Sequence, residues 1–138
     1  MYQRLAHTAF RVRDMQSSLK FYCDVLGCKK IFELSNTEGK PWIVYLRIQG
    51  SQYVELFYDG NRPFETDDRS IAFMHFCFEV DDVQKMYDQV INAGYKGITA
   101  PKKGRDLGDH CMVLDPDGIK VEFVKMHPNA PQLIYHKI

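Results

Sequence analysis

The sequence predicts an α+β fold in which two β-α-β-β-β modules form an open, cup-shaped half-barrel with their helices outside. Three observations predict it. Along 138 residues the order strand, helix, strand, strand, strand is legible twice. Chemistry-bearing residues recur at nearly one offset, His75 following His7 by 68 positions and Glu122 following Glu55 by 67. In both copies those residues fall on the strand face turned away from the helix.

The first module, about residues 4–58, opens with the run Leu5 to Val12. His7, Ala9 and Arg11 share one face of this strand, and Thr8, Phe10 and Val12 the other. Asp14 is the expected N-cap of a helix over MQSSLKFYCDVLG, where Met15, Leu19, Tyr22 and Leu26 recur at helical spacing, and Gly27 is its expected stop. Strands follow at Lys29–Leu34, Trp42–Ile48 and Tyr53–Tyr58, separated by a turn at Asn36–Pro41 and a tight turn at Gly50–Gln52. Residues 59–70, polar and rich in turn formers, read as a connector.

The second module, about residues 71–125, repeats the order. His75–Val80 is the first strand, with His75, Cys77 and Glu79 on one face. Asp82 stands before the helix VQKMYDQVINAG, which ends at Gly94. Short strands at Gly97–Ala100 and His110–Leu114 lead through the Asp115-Pro116-Asp117-Gly118 turn to a last strand, Ile119–Lys125. The tail, 126–138, has two prolines and no clear period, and falls outside the repeat. At this length the whole reads as one domain.

Composition narrows the function. Acidic and basic residues balance at 18 each, which excludes the cationic surface that nucleic acid or an anionic membrane would select. No stretch approaches the ~20 apolar residues of a membrane span, and MYQRLAHTAF lacks a signal-peptide profile. A cytoplasmic protein with reduced thiols is expected, since Cys23, Cys28, Cys77 and Cys111 show no CxxC spacing.

Strand parity bears on the four recurring residues. On the last strand of each module Glu55 lies opposite in facing to Val54 and Leu56, and Glu122 to Val121 and Phe123. All four candidates therefore face away from the helices. Singly, a His or Glu on a polar strand face is usually only solvated; their joint recurrence with consistent parity points to a shared metal site. Two imidazoles and two carboxylates suit a divalent ion such as Ni, Co, Zn, Mn or Fe. His110 lies on the seventh strand and reads as a surface residue or a support behind the site. His127 and His136, in the tail, read as non-ligands.

With these residues in place, the chain resembles the vicinal oxygen chelate (glyoxalase/bleomycin resistance/dioxygenase) superfamily, in particular glyoxalase I (lactoylglutathione lyase) of bacterial type. The resemblance rests on HTAFRV before a helix ending FYCDVLG, on VELF, on HFCFEVDD and on DPDGIKVEF, and covers roughly residues 5–125. The ligand order His, Glu, His, Glu is its more specific part. It implies a metal-dependent lyase or isomerase that converts a 2-oxoaldehyde–thiol hemithioacetal, such as that of methylglyoxal and glutathione, to a thioester through a stabilised enediolate. It also implies Glu122 as principal base, Glu55 acting from the opposite side, and Arg11 binding a substrate carboxylate. An ion pair on the cup wall is the competing reading of Arg11.

The chain departs from glyoxalase I where glutathione would bind. Asp59, in ELFYD, replaces an Asn, and Asp106 and Leu107 stand roughly where a Lys and a Met are expected. The metal half of the pattern is therefore fuller than the glutathione half. Alternatives are another metal-dependent enzyme of this fold (a dioxygenase, an epimerase or an antibiotic-modifying thiol transferase) or a non-catalytic drug-binding resistance protein. The site is compatible with assembly in one chain or between two, and a homodimer is expected because open half-cups leave strand edges to cover.

Overall fold

The structure, a computed structural model, describes Met1, residues 3–65, Asp67 and residues 69–135. Thr66 and Asp68 of the connector, and His136 of the tail, lie outside the described residues. The contacts divide the chain into two compact units, Met1–Pro63 and Phe64–Ile138.

The first unit holds β1 (His7–Arg11), α1 (Met15–Leu19), which continues as a π-helical segment (Lys20–Val25), β2 (Lys29–Ser35), β3 (Pro41–Arg47) and β4 (Tyr53–Phe57). Its sheet runs β1-β4-β3-β2, with β1 parallel to β4 and the other pairs antiparallel. The second unit holds β5 (Phe76–Glu79), α2 (Val83–Asn92), β6 (Gly97–Lys103), β7 (Asp109–Leu114) and β8 (Lys120–Lys125), followed by a helical turn α3 (Pro131–Tyr135). Its sheet runs β5-β8-β7-β6 with the same pattern of directions. The expected α+β class with two β-α-β-β-β repeats is what the chain adopts, as two open four-stranded mixed sheets.

Both helices start as the sequence dictates. The Asp14 carboxylate accepts the Ser17 amide at 2.7 Å and that of Asp82 accepts the Lys85 amide at 2.9 Å, each satisfying an amide that the first helical turn leaves unpaired. Their ends differ. α2 closes on Gly94 (φ 89°) with Tyr95 N–H to Val90 O and Gly94 N–H to Ile91 O, the paired bonds of a Schellman cap. The first helix widens before Gly27 (φ 80°), with Leu26 N–H reaching Phe21 O and Cys28 N–H reaching Tyr22 O. The spacing expected for its inward face was Met15, Leu19, Tyr22 and Leu26; the buried set is Met15, Ser18, Phe21, Tyr22 and Val25. The wider turn admits Phe21 beside Tyr22, their rings 4.9 Å apart and edge to face. Ser18, wholly buried, donates its hydroxyl to Asp14 O within its own helix.

Parity sorts the faces. In the first unit Val12, Val44, Leu46, Val54 and Leu56 are buried with Tyr22, whose ring lies 5.7 Å from that of Phe10. In the second, α2 packs on β6, β7 and β8, the Cys111 thiol donates to Val83 O, and Val113, Val121 and Phe123 are buried. Glu55 and Glu122 alternate out of those rows and face the other way. Most strand ends differ from expectation by a residue or two, β1 starting at His7 rather than Leu5, and two differences bear on the site. β6 runs on through Pro101 to Lys103 by a register shift between Thr99 and Lys102, which spares the proline a ladder bond. β5 begins at Phe76, so His75 precedes the strand. No helix among the described residues is long and apolar enough to cross a membrane.

Candidate metal and proton-transfer site

The parallel pairing explains why each His meets its Glu. In the first unit Ala9 stands beside Glu55, so His7, two residues earlier, is the carboxylate's diagonal neighbour. Its Nδ1 lies 3.4 Å from Glu55 Oε1. In the second unit Cys77 stands beside Glu122, and His75, again two residues earlier, places Nε2 at 3.0 Å from Glu122 Oε2. The near-constant offset in the sequence is thus one register relation built twice. Among the described residues no group of three or more His, Cys, Asp or Glu side chains is arranged to hold a metal ion; the ligand candidates come together as pairs, each within its own unit.

The donor chemistry fits a divalent ion. An imidazole nitrogen and a carboxylate oxygen this close can both serve as donor atoms to one cation. The His7–Glu55 pair and the His75–Glu122 pair each present one nitrogen and one carboxylate to such an ion.

The surroundings of the two carboxylates differ. Glu55 is buried at 5% exposure, and Tyr45 stands directly across the ladder from it. Interaction with the Glu55 carboxylate comes first among the causes that raise the Tyr45 phenol above its ordinary pKa, so Tyr45 keeps its proton. Across from Glu122 stands Met112, which offers no donor. The diagonal neighbour on β7 is His110, whose Nδ1 lies 3.0 Å from Glu122 Oε1 while its Nε2 lies 2.8 Å from Asp106 Oδ1. The Gln132 side-chain amide donates to the other Asp106 oxygen at 2.8 Å. Gln132 and then His110 hold the Asp106 carboxyl below its ordinary pKa. Burial works against a charged His110, and the two flanking carboxylates outweigh it, raising its pKa. Two ionised carboxylates accept and do not donate, so both His110 nitrogens carry protons when both bonds are made.

Arg11 shares the His7 face, but its guanidinium is engaged locally: it donates to Tyr58 O at 2.7 Å and lies 5.8 Å from the centre of the Phe57 ring. Asp59 has a left-handed backbone (φ 67°), a conformation that Asn and Asp tolerate better than most residues. The Asn-to-Asp departure thus keeps the turn while adding charge. All four cysteines are free. Desolvation, then the charge of Glu122, pushes the Cys77 thiol up to about 12, so at neutral pH it is no nucleophile.

Three features went unread in the sequence. Tyr45 had a signal in parity, since it must stand across from Glu55. The Asp106–His110 pair had one in the two glycines, Gly104 and Gly108, around an Asp four residues before a His. Gln132 had none, because it arrives from the tail.

Residues 4–123 match the family model described as the Glyoxalase/Bleomycin resistance protein/Dioxygenase superfamily. A probable lactoylglutathione lyase of Vibrio cholerae is 32% identical over 88% of this chain and 90% of its own length. A lactoylglutathione lyase of Neisseria meningitidis serogroup A is 30% identical over 96% and 97%. A glyoxalase family protein from Enterococcus faecalis, 20% identical, superposes with a TM-score of 0.77 over 90% of this chain and 98% of its own. A sequence match across most of the chain and a shared three-dimensional arrangement lead to one conclusion: the chain belongs to the glyoxalase/bleomycin resistance protein/dioxygenase superfamily.

Proposed function

We propose that this chain is a metal-dependent isomerase of glyoxalase I type, converting the hemithioacetal of a 2-oxoaldehyde and a thiol to a thioester. The observation that carries the reading is the diagonal His–Glu pair, built twice by the same strand register and facing away from the helix in each unit. Relatives named lactoylglutathione lyase over nearly their whole length support it.

The reaction relocates two protons. One leaves the carbon that bears sulfur and hydroxyl, its electron pair closes a carbon–carbon double bond as the neighbouring carbonyl's π pair moves onto its oxygen, and a proton returns to that neighbouring carbon; the other passes from the first carbon's hydroxyl to the neighbouring oxygen. The first carbon becomes the thioester carbonyl and the second an alcohol, with no net redox change. A divalent ion held by His7, Glu55, His75 and Glu122 would supply electrostatic stabilisation of the charge that develops on two adjacent substrate oxygens. Glu122, with its side chain at 20% exposure, is the base that takes the proton and returns it. Glu55, more deeply buried and facing Tyr45 across the ladder, holds its position on the other side.

The thiol is the open half of the specificity. Asp59 adds negative charge at the end of β4, and Asp106 is committed to His110 and Gln132. Neither suits the carboxylates of glutathione, so a less anionic thiol is the expected partner. Arg11, bonded to Tyr58 O, keeps further donors for a substrate carboxylate. A soluble homodimer, with the metal held in one chain or between two, completes the proposal.

The test is metal analysis of the purified protein, then a thioester-forming assay with methylglyoxal and a panel of thiols across Ni, Co, Zn and Mn. Turnover without oxygen consumption is expected. Oxygen uptake on a catechol with Fe(II) would instead establish a dioxygenase, and tight drug binding without turnover a sequestering protein.

A further inference from the structure

The second unit contains a hydrogen-bonded chain that the duplicated pattern does not require: Gln132 to Asp106, Asp106 to His110, His110 to Glu122. Among the described residues it has no counterpart in the first unit. On β3 the position diagonal to Glu55, as His110 is to Glu122, is Ile43. We propose that His110, oriented by Asp106, is a positioning residue that fixes the rotamer of Glu122, holding Oε1 so that Oε2 is left to the His75 side. This deepens the isomerase reading and rests on it for the meaning of Glu122.

The loop between β6 and β7 is shaped around the imidazole. A Cβ on Gly104 would lie 2.6 Å from Asp106 Oδ1 and 2.7 Å from His110 Cδ2 and Nε2; one on Gly108 would lie 3.0 Å from Nε2. Neither glycine can take a side chain without displacing the ring or its partner. Gly104 N–H and Gly108 O close the loop at 2.7 Å, and the Gly108 amide donates to Asp106 Oδ1. Leu107, inside it, takes a left-handed conformation (φ 71°) that is costly for a non-glycine residue. From outside, Gln132 on α3 ties the far oxygen of Asp106, so the C-terminal helical turn also bears on the carboxylate. A His free to rotate needs none of these contacts. Each removes one degree of freedom between the loop and Glu122, which is what a base held in one geometry requires.

Four variants test it, each read by Co(II) titration with its visible spectrum and, separately, by kcat and KM. In His110→Ala, Co(II) affinity and kcat should each fall about 10-fold or more, with an altered visible band and KM within about twofold. His110→Asn and His110→Gln separate the two ends of the imidazole. The Asn amide stands where Nδ1 stood and can donate to Glu122; the Gln amide stands near Nε2 and meets Asp106. Asn should therefore lie closer to the wild type than Gln. Asp106→Asn, which touches His110 and not Glu122, should fall between wild type and His110→Ala, and it serves where the alanine variant does not fold. The proposal is overturned by wild-type affinity, spectrum and kcat in His110→Ala, or by Gln matching Asn. Wild-type protein inactive on every hemithioacetal would defeat the isomerase reading instead, and the Co(II) measurements would still decide this one.

Discussion

The two units carry one diagonal His–Glu pair each and secure its carboxylate by different means. In the first, a phenol stands directly across the ladder from a carboxylate that is almost out of water, and that carboxylate raises the phenol's pKa. In the second, the residue across is a methionine, and imidazoles approach both oxygens of a carboxylate whose side chain keeps 20% exposure. Register has preserved the pair, while the third neighbour on the middle strand has diverged. A polar neighbour fixed on a buried strand favours a group that stays in place. A more exposed group gripped from both sides can be released from one of them without losing its position. On the proposed isomerase reading, this difference is the reason for giving holding to Glu55 and proton transfer to Glu122.

The most direct way to break that contrast is to neutralise each acid in turn. Glu122→Gln should lower kcat by about 10²–10⁴-fold, the range for losing a positioned general base. Glu55→Gln should instead show mainly in metal affinity, with a smaller fall in kcat measured at saturating metal. Full activity in Glu122→Gln would end its assignment as the base. Equal falls in kcat for both variants would mean the two halves share the proton work.

The imidazoles should behave alike where the acids differ. His7→Ala and His75→Ala are each expected to lose bound metal by elemental analysis while keeping the fold by circular dichroism. Mixing the two inactive proteins distinguishes a site within one chain from one between chains: activity that reappears on mixing requires that intact pairs from different chains combine. No recovery after subunit exchange, demonstrated with tagged copies, would place both pairs in one chain.

How much of this was legible depended on whether a feature obeys a period. Alternation and caps are local: His7, Glu55 and Glu122 face away from the helices as parity requires, and Asp14 and Asp82 cap as their positions require. The doubled register was legible because a duplication repeats it. The widened end of the first helix was not, since Phe21 and Tyr22 both point inward only when packing overrides a 3.6-residue stripe. Asp106 reaches His110 through a loop held by backbone bonds and a left-handed leucine, and Gln132 arrives from a tail without periodicity. Such contacts are set by tertiary closure, which no local pattern encodes.

The smallest expected effect concerns Tyr45, and it sharpens the contrast at single-atom level. Tyr45→Phe keeps the ring that stacks on Phe32, their centres 4.3 Å apart, and removes only the hydroxyl whose pKa Glu55 raises. A buried carboxylate that loses a neighbouring polar hydroxyl is less well stabilised, and the loss falls on the charged form. Melting temperature should drop by a few degrees at neutral pH, and metal affinity should weaken a few-fold, with KM and kcat at saturating metal little changed. Met112→Leu in the second unit removes no donor from Glu122, because none is there to remove, and should move neither quantity. If both substitutions weaken metal equally, the middle strand contributes packing alone, and the phenol does not hold Glu55.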